Sequence, residues 1–319
     1  MSNKEVAEWC GITAEWIEER TEILTRRYAA PDEATSDLAA HALTSALRSA
    51  GITADRLDYL IVSTSTGDSP QPPTANLVQH AVGATGAACF DVNVVCSGFV
   101  FGLEMAHRLL PPPVPTATPP SSAPTSTPAS STTPTTAPPC SSATARAPRS
   151  SAPSATGTAT SAPSWPARGD AHRLIRVEAG GSRIPTTPQT LADGGHYFRM
   201  EGRGVRDFVM DHVPPVLDRL LRGAGLTAAD VDHFVPHQPN GVLLRGLVDK
   251  IGMSHAHTHR TLEKYGNVGS ASVPVALDDG CRSGLIRDGD LVVMAGFGGG
   301  MSVGATLMRW QERSRPGQT

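Results

Sequence analysis

The apolar positions of this chain follow two periods, one typical of helices and one typical of buried strands. Apolar residues recur every three to four positions over Leu38–Ala50 and over Val213–Ala224, which predicts an amphipathic helix in each place. Each helix runs into a glycine, a short polar turn and an apolar run, within Gly51–Ile61 and Gly225–Val235. These two segments are near copies, so we interpret them as an internal duplication. The succession of helix, turn and buried strand predicts an α/β fold with parallel sheets.

A third apolar run, Phe90–Val95, ends at a cysteine. The run alternates poorly, which predicts a strand buried on both faces. Phe99, Leu103 and Ala106 then recur at helical spacing, so Cys96 is predicted at the N-terminus of a helix. Unpaired N–H groups and the helix dipole favour a thiolate there, which is the nucleophilic form. A buried structural cysteine is the alternative for a thiol beside a strand.

Two other junctions carry polar side chains that suit a thiol nucleophile. A short apolar strand ends at His237, and Asn267 lies in a Gly/Ser-rich loop, Lys264–Pro274, that leads into a helix. Taken alone, a buried histidine and a turn asparagine are ordinary structural residues. With Cys96 they form a Cys/His/Asn set in which each member lies where a strand or loop meets a helix.

Four segments carry a specific combination of motifs: Asp91–Phe99, Pro236–Asn240, Tyr265–Pro274 and Gly296–Gly300. Together they resemble the β-ketoacyl-acyl-carrier-protein synthase III family of condensing enzymes. The resemblance implies a thiolase-like α/β fold, with two pseudo-repeated halves and sheets layered between helices. The glycine run distinguishes this family from chalcone-synthase-like relatives, and Cys281 lacks the setting of the second catalytic cysteine of thiolases.

The glycine run also lies between two apolar segments, 291–295 and 301–310, that are predicted to be strands. A phosphate-binding turn needs a helix after the glycines, so a dinucleotide fingerprint is excluded.

The resemblance implies a two-step acyl chemistry. Cys96 takes an acyl group from acyl-CoA, and a malonyl thioester on acyl carrier protein then loses CO2 to give an enolate. That step needs hydrogen-bond donors rather than a base, and neutral His237, through Nε2–H, and the Asn267 amide can supply them. The backbone N–H groups of Cys96 and Gly299 are the implied oxyanion hole, and Phe297 has the gating position. Acyl-CoA and malonyl thioester are substrates, and no cofactor or metal is expected.

The resemblance also implies which residues bind CoA. Trp16 and Arg20 match positions that hold CoA by stacking and charge, although Trp16 also suits helix packing. The family forms homodimers, so a homodimer is expected here.

This sequence matches the family less well at the positions that dock the acidic carrier protein. The basic docking positions of the family correspond here to Asp207, Val242 and Asp249. Three basic residues lie close by, Arg206, Arg245 and Lys250. They are either compensating contacts or solvated helix charges. A secondary-metabolism relative with a different acceptor is therefore the alternative function.

Composition excludes several other classes of protein. The five cysteines show no CxxC pairing, so neither a disulfide framework nor a zinc site is implied. No apolar run reaches membrane length and the N-terminus is not a signal peptide, so a cytoplasmic protein without membrane contact is expected. The net charge of −3 argues against nucleic-acid binding. His255, His257 and His259 could line one face of a strand, but no carboxylate or cysteine completes a metal site.

One tract, residues 111–166, contradicts the pattern of an enzyme. It consists almost entirely of Pro, Ser, Thr and Ala and contains no Asp, Glu, Lys, Leu, Ile, Met, Phe or Tyr. Such a composition cannot build strands or a core, so disorder is predicted. The tract separates an N-terminal half, residues 1–110, which lacks the first strand of the family, from a C-terminal half, residues 167–319.

We interpret the tract as a frameshifted segment bounded by two compensating one-nucleotide errors. If the reading frame moves back one nucleotide and codons end in G, Ser121–Ser126 reads Val-Val-Gly-Ala-Asp-Val and Ala143–Pro148 reads Gly-Asp-Gly-Ala-Gly-Ala. Both strings match the family in the expected order. The printed chain is then predicted to fold poorly or to be inactive, the product of a disrupted gene. A non-enzymatic protein, in which a Pro/Ser/Thr stalk joins two interaction domains, is the other class left open.

Overall fold

The structure is a computed structural model. It describes residues 1–109 and 166–311, together with the backbone of two short strands at 128–132 and 142–146.

The elements of the first half alternate between helices and strands as the duplication predicts. The helices are α1 (Asn3–Cys10), α2 (Ala14–Thr21), α3 (Thr35–Ala50), α4 (Thr74–Val82) and α5 (Gly98–Leu109). The strands are β1 (Tyr59–Ser63), β2 (Ala88–Val92), β3 (Pro128–Thr132) and β4 (Ser142–Arg146).

The second half has the same alternation and adds a small two-stranded sheet. The helices are α6 (Pro188–Ala192), α7 (Gly202–Gly223), α8 (Gly241–Lys250), α9 (Leu262–Tyr265) and α10 (Ser272–Arg282). The strands are β5 (Ile175–Val177), β6 (Phe198–Met200), β7 (His233–Pro236), β8 (His257–Thr258), β9 (Leu291–Gly298) and β10 (Ser302–Arg309).

Two four-stranded sheets form the frame of the molecule. Their strand orders are β2-β1-β4-β3 and β10-β9-β7-β8, and β5 pairs with β6 separately. β1 runs parallel to β2, and β7 runs parallel to both β8 and β9. Helix α5 packs against β1 and β4 of the first sheet and against β9 and β10 of the second. It therefore lies between the sheets, which is the layered arrangement predicted.

Strand β9 shows why the second sheet is stable between two helix layers. Its alternate residues Leu291, Val293 and Ala295 join one apolar cluster with α7 and α8. Val292 and Met294 face the opposite way into a second cluster with α5 and α10. A strand whose side chains are buried on both faces is uniformly apolar, and this strand is buried along its whole length.

The internal duplication is present in the structure. In each half, a long helix, α3 or α7, is followed by one turn of 3₁₀ helix, Ala54–Arg56 or Ala228–Asp230, and then by a buried strand, β1 or β7. Gly51 follows α3 in the left-handed conformation, with φ 66°, where glycine is favoured. Equivalent strands thus bring equivalent loops to the same edge of each sheet.

Strand β2 differs from its prediction. The strand was predicted over Phe90–Val95 and buried on both faces, but it ends at Val92 and its residues are half-buried or exposed. Among the described strands it pairs only with β1. The prediction of complete burial was wrong, because the run contains the polar residues Asp91 and Asn93 and β2 is at the end of the described strand order.

The prediction that residues 111–166 contain no strand was also wrong at two places. The backbone of β4 pairs antiparallel with β1, with Arg146 opposite Tyr59, and β3 pairs antiparallel with β4. Strand pairing uses backbone N–H and C=O groups, which Ser, Thr and Ala supply as other residues do. The disorder predicted for the rest of the tract lies outside the described residues.

Candidate active site

Cys96 lies in a sharp turn between β2 and α5. The turn is one 3₁₀ turn, Val95–Ser97, and α5 begins at Gly98. Val95 has φ 45°, a left-handed conformation that a β-branched residue rarely adopts, so the backbone is strained just before the thiol. Cys96 is half-buried, and the first turn of a 12-residue helix lies directly after it. The helix N-terminus predicted for this thiol is therefore present.

Small residues allow this turn to approach the first sheet and the Asn267 loop. Gly98 is buried against the hydroxyl of Ser63 at the end of β1, and a Cβ on Gly98 would overlap that hydroxyl. The Oγ atoms of Ser63 and Ser270 are 3.2 Å apart in the same buried region. The start of α5 thus touches β1 of one half and the loop after α9 of the other.

The glycine run at the end of β9 covers the thiol. A Cβ on Gly298 would lie 2.7 Å from the Cβ and 3.0 Å from the Sγ of Cys96. A Cβ on Gly296 would lie 2.8 Å from the Cα of Ser97. Gly299 is the residue after Gly298, and a Cβ on it would be 3.0 Å from Val95 Cγ2. A side chain would clash at Gly296 and Gly298 and would crowd Val95 at Gly299, so glycine lets the backbone come close to the Cys96 turn.

His237 follows β7 directly and is buried, with an exposed fraction of 2%. Its backbone N–H donates to the carbonyl of Ala295 in β9 at 2.7 Å. Its imidazole Nδ1 is 3.2 Å from Ser272 Oγ. Burial lowers the pKa of His237 from 6.5 to about 4, and the carbonyl of Gly269 opposes that shift in part. The ring is therefore neutral near pH 7.

Gln238 fixes the loop that follows His237, and the sequence had not singled it out. Its Nε2 donates to the carbonyl of His259, and its Oε1 accepts from the backbone N–H groups of Thr261 and Leu262. Gln238 is buried, so these bonds are formed away from water. Its place in the Pro-His-Gln-Pro motif was the available signal.

Asn267 lies in the loop between α9 and α10 with its side chain exposed. The backbone N–H of Gly269 donates to Asn267 Oδ1 at 3.0 Å. This bond identifies Oδ1 as the acceptor, so the Nδ2 amide group turns the other way and remains a donor.

A continuous series of contacts brings the three predicted residues to one site. Cys96 touches Gly298, and the neighbouring Phe297 ring meets the imidazole of His237 edge-on, with centroids 5.3 Å apart. Phe297 is itself buried. The 3₁₀ turn of Cys96 also packs against the 3₁₀ turn Gly269–Ala271, which follows Asn267. Contacts through Gly298, Phe297 and the turn Gly269–Ala271 therefore connect a thiol, a neutral imidazole and a side-chain amide.

Trp16 and Arg20 lie one helical turn apart on α2. Both are exposed, and half of the Trp16 surface is accessible. Thr13 caps this helix by accepting from the backbone N–H of Trp16 at 3.1 Å. Helix packing does not occupy the indole, so the pair is available to a ligand with a flat ring and negative charge.

The three atypical docking positions lie on two adjacent helices. Asp207 is on α7 and Val242 and Asp249 are on α8, and all three are exposed. The two helices pack against each other. This surface therefore presents two carboxylates and an apolar side chain.

Two of the three nearby basic residues form ion pairs with carboxylates. Arg245 forms an ion pair with Glu22, and Lys250 Nζ lies 3.6 Å from Asp211 Oδ1. Arg206 is exposed and forms no ion pair within the described parts of the chain. Of the three residues that could compensate, Arg206 remains as an unpaired positive charge.

Glu22, which pairs with Arg245, was not predicted. It has φ 61° at the end of α2, a conformation uncommon for residues other than glycine. Its carboxylate also pairs with Arg260, with Oε2 and Nη2 2.5 Å apart. The local sequence gave no indication of a role for Glu22, because its partners come from the other half of the chain.

The histidines considered as a metal site are arranged differently. His259 pairs with His233, with Nε2 and Nδ1 3.0 Å apart, and His233 Nε2 lies 3.0 Å from Asp290 Oδ2. His255 precedes the two-residue strand β8 and is not part of this cluster. Burial, with His257 and His233 nearby, lowers the pKa of His259 to about 4. Within the described residues, no three His, Cys, Asp or Glu side chains could hold a metal ion.

None of the helices described here has the length and apolar character needed to cross a membrane.

Comparisons with known proteins agree with this geometry. Residues 221–310 match the family model of the 3-oxoacyl-[acyl-carrier-protein (ACP)] synthase III C terminal. The chain is 44% identical to acetoacetyl CoA synthase NphT7 of Streptomyces sp. (strain CL190), over 97% of this chain and 94% of that protein. It is 36% identical to β-ketoacyl-[acyl-carrier-protein] synthase III of Symbiobacterium thermophilum, with the same coverage of each.

A solved structure has the same fold. A crystal structure of a 3-oxoacyl-(acyl-carrier-protein) synthase III superposes with a TM-score of 0.81 at 28% identity, over 97% of this chain and 95% of that one. With relatives above 30% identity along almost its whole length, the chain belongs to the β-ketoacyl-acyl-carrier-protein synthase III family of condensing enzymes.

Proposed function

We propose that this chain catalyses the decarboxylative condensation of an acyl-CoA with a malonyl thioester. The observation that carries the proposal is the series of contacts, through Gly298, Phe297 and the turn Gly269–Ala271, that connects Cys96, His237 and Asn267. A thiol alone would support simple acyl transfer. The neutral imidazole and the amide add two hydrogen-bond donors, which decarboxylation needs and acyl transfer to water or an amine does not.

The first step loads the enzyme. The Cys96 thiolate attacks the thioester carbonyl of acyl-CoA, the new C–S bond forms, and the C–S bond to CoA breaks. CoA leaves as a thiolate and takes up a proton. Backbone N–H groups of Cys96 and Gly299 would hold the oxyanion of the tetrahedral intermediate, since the glycine run approaches this turn closely.

The second step forms the carbon–carbon bond. The carboxylate of the malonyl thioester leaves as CO2, and its bonding electrons develop as an enolate stabilised by His237 and Asn267. The enolate carbon attacks the acyl group on Cys96, and collapse of the adduct expels the Cys96 thiolate. Loss of CO2 makes the step favourable and no electrons are transferred to an acceptor, so the reaction needs no cofactor.

The partner that presents the malonyl group is either an acyl carrier protein or CoA. The resemblance to the family favours a carrier protein. The described surface favours CoA, because Asp207 and Asp249 would repel an acidic protein and Arg245 is already paired with Glu22. The similarity to a protein named acetoacetyl CoA synthase supports the same choice. We therefore propose malonyl-CoA as the preferred substrate and a carrier protein as the weaker one.

We also propose the CoA-binding residues, the oligomeric state and the cellular location. Trp16 and Arg20 would hold the adenine and phosphates of CoA, since both are exposed on one face of α2. A homodimer is proposed from the family and from exposed apolar residues in and beside the two-stranded β5–β6 sheet, Val177, Tyr197, Phe198 and Met200. An enzyme that consumes acyl-CoA would act in the cytoplasm.

The comparisons support a frameshift over an inserted stalk. The alignments cover 97% of this chain and 94% of each of two relatives, so the chains have similar lengths. Similar lengths favour a replaced segment over an added one at residues 111–166. An inserted stalk would make this chain longer than its relatives by the length of the tract.

The test is a condensation assay on the printed chain and on a full-length chain with the frame restored over residues 111–166. Each is given acetyl-CoA with malonyl-CoA or with malonyl-carrier protein, and CO2 and the 3-oxoacyl product are measured. Cys96→Ala is the control for the nucleophile. Condensation by the restored chain, with malonyl-CoA preferred, supports the proposal. Acyl loading of Cys96 without condensation in the restored chain would indicate an acyltransferase instead.

A further inference from the structure

Arg245 lies in the middle of the exposed face of α8. Val242, Arg245 and Asp249 are exposed and follow one another at spacings of three and four residues, which places them on one helix face. Leu244 and Leu247 are buried. Of the three exposed residues, Arg245 carries the positive charge, the sign that attracts an acidic carrier protein.

The charge of Arg245 is already balanced within the chain. Glu22 at the end of α2 forms an ion pair with Arg245, and α2 packs against α8. The Arg245 side chain is 57% exposed, whereas that of Glu22 is 21% exposed. The arginine is therefore at the surface, where a partner protein would meet it, but a carboxylate of this chain occupies it.

The fold leaves a fitted space for Glu22. Its φ of 61° is a left-handed conformation that favours glycine, yet the residue here carries a long charged side chain. Gly241 at the start of α8 lies against that side chain. A Cβ on Gly241 would be 2.9 Å from the Glu22 Cβ and would overlap the carboxylate. The absence of a side chain at position 241 therefore lets the Glu22 carboxylate lie against α8.

The second partner of Glu22 has a carboxylate of its own. Arg260 Nη2 lies 2.5 Å from Glu22 Oε2 and 2.5 Å from Glu263 Oε1. Arg260 thus keeps an ion pair when Glu22 loses its charge. For Arg245, Glu22 is the carboxylate partner among the residues that the structure describes. Neutralising Glu22 therefore frees the charge of Arg245.

We propose that Glu22 is a specificity-determining residue, whose carboxylate occupies Arg245 in place of a carboxylate of an acyl carrier protein. This proposal deepens the function proposed above and rests on it, since it names the residue that makes the carrier protein the weaker donor of malonyl groups. A docking carrier protein must displace Glu22 to pair with Arg245, and it meets the negative charge of Asp249 on the same face. CoA is held on α2 instead, by Trp16 and Arg20.

The test uses full-length protein, printed and frame-restored, with variants that change one charge each. Glu22→Gln removes the carboxylate charge at nearly the same size, and its amide oxygen can still accept from Arg260. Glu18→Gln is the matched control, because Glu18 lies one turn earlier on α2, is exposed and forms no ion pair with a described residue. Arg245→Gln is made in the parent and in Glu22→Gln.

The first measurement is binding, which requires no condensation. Fluorescently labelled holo-acyl carrier protein is titrated by anisotropy at low salt, and CoA is titrated by calorimetry. We expect Glu22→Gln to bind the carrier protein about three- to fivefold tighter, the size of effect of one exposed ion pair, and the gain to shrink as salt is added. Carrier binding by Glu18→Gln and CoA binding by Glu22→Gln should each stay within about twofold of the parent. Carrier binding that is absent or unchanged in Glu22→Gln, or an equal gain for Glu18→Gln or for CoA, would overturn the proposal.

The second measurement is the coupling between Glu22 and Arg245. In the parent, Arg245→Gln should change carrier binding less than about twofold, because the arginine is already paired. In Glu22→Gln, the same substitution should abolish the gain. If Arg245→Gln weakens carrier binding equally in both backgrounds, Glu22 does not withhold the arginine and the proposal is wrong.

A condensation assay separates this proposal from the function on which it rests. With malonyl-carrier protein, kcat/KM in Glu22→Gln should rise by the same factor as the affinity. Preference for malonyl-CoA in the parent without any gain in Glu22→Gln refutes the role of Glu22 alone. A parent that condenses neither malonyl thioester, but whose Glu22→Gln variant binds the carrier protein more tightly, refutes the proposed condensation and leaves the role of Glu22 in carrier binding standing.

Discussion

Gly298 lies against Cys96 so closely that a side-chain carbon on Gly298 would stand 3.0 Å from the Sγ atom. The Gly298→Ala variant must therefore displace the thiol or the end of β9. We expect labelling of Cys96 by acetyl-CoA to fall at least about 100-fold, since small displacements of a reacting atom have effects of this size. Rates of single-turnover acyl loading measure it.

The control for this variant is Gly202→Ala. Gly202 begins α7, where an added methyl group meets no atom within 4 Å, and alanine favours helix over glycine. Loading should be unchanged in this control. Normal loading in Gly298→Ala would mean that the thiol has more freedom than the contact indicates.

Asn267 can be altered without loss of its backbone contact. Asn267→Asp keeps an oxygen that accepts from the N–H of Gly269 but replaces the amide donor with a carboxylate. We expect decarboxylation of malonyl-CoA to fall by about 100- to 1,000-fold, while acyl loading of Cys96 is retained. The two steps are measured separately by CO2 release and by Cys96 labelling. Equal loss of both steps would count against the donor role.

Asn267→Ala is the useful comparison because it removes the acceptor as well. The N–H of Gly269 then loses its partner, which costs about 1 kcal/mol of folding stability when it is not replaced by water. Thermal melting should therefore be lower for Asn267→Ala than for Asn267→Asp.

The catalytic set could be predicted from sequence because each member lies in a short motif at the end of an element. Cys96 follows a strand, His237 follows the strand of the second repeat, and Asn267 lies in a glycine-rich loop. Contacts between residues far apart in the sequence could not be predicted in this way. Ser272 meets His237 across 35 positions, and Glu22 meets Arg245 across the two halves. Such contacts depend on how the sheets and helices pack, and no local pattern encodes them.

The incomplete burial of the edge strand β2 was also not predicted. The run Phe90–Val95 was predicted to be a fully buried strand although it contains Asp91 and Asn93, and β2 has a described partner on one side and stops at Val92. Local composition indicates which residues can be buried, but the position of the strand in the sheet determines which of them are buried.

The stability of the protein should depend on the protonation of His237. Burial lowers its pKa to about 4 from 6.5, so between these values the unfolded chain binds more protons than the folded one. The folded state therefore gains stability as the pH rises through this window and loses it as the pH falls, by roughly 3 kcal/mol in total. Urea unfolding between pH 4.5 and 7.5 measures the slope.

Other groups titrate in the same range, so the comparison is with His237→Gln. Glutamine does not titrate, and the slope of stability against pH should be shallower in this variant, whatever its absolute stability. Parallel slopes for the two proteins would show that His237 is protonated equally in the folded and unfolded states.

The α7–α8 surface should determine which carrier delivers the malonyl group. Replacing its atypical residues with basic ones, Asp207→Lys, Val242→Arg and Asp249→Lys, removes two negative charges and adds three positive ones. We expect kcat/KM for malonyl-carrier protein to rise about tenfold at low salt and the gain to shrink as salt is added. Because malonyl-CoA needs no protein docking, its kcat/KM should stay within about twofold. A gain that is insensitive to salt would indicate a cause other than charge.

The printed and frame-restored chains should differ in cooperative melting. Strands β3 and β4 complete the first sheet with Ser, Ala, Thr, Pro and Arg, and residues 111–166 contain no Leu, Ile, Met, Phe or Tyr. Each large apolar side chain absent from a core forgoes about 1.5 to 3 kcal/mol, and a domain is stable by only about 5 to 15 kcal/mol. A few missing residues are therefore enough to unfold the N-terminal half, and with it the start of α5, which follows Cys96 and packs on β1. We expect a cooperative calorimetric transition in the restored chain and a broad or absent one in the printed chain. A transition of equal sharpness and temperature in both would mean that the tract, as printed, is a native part of the fold.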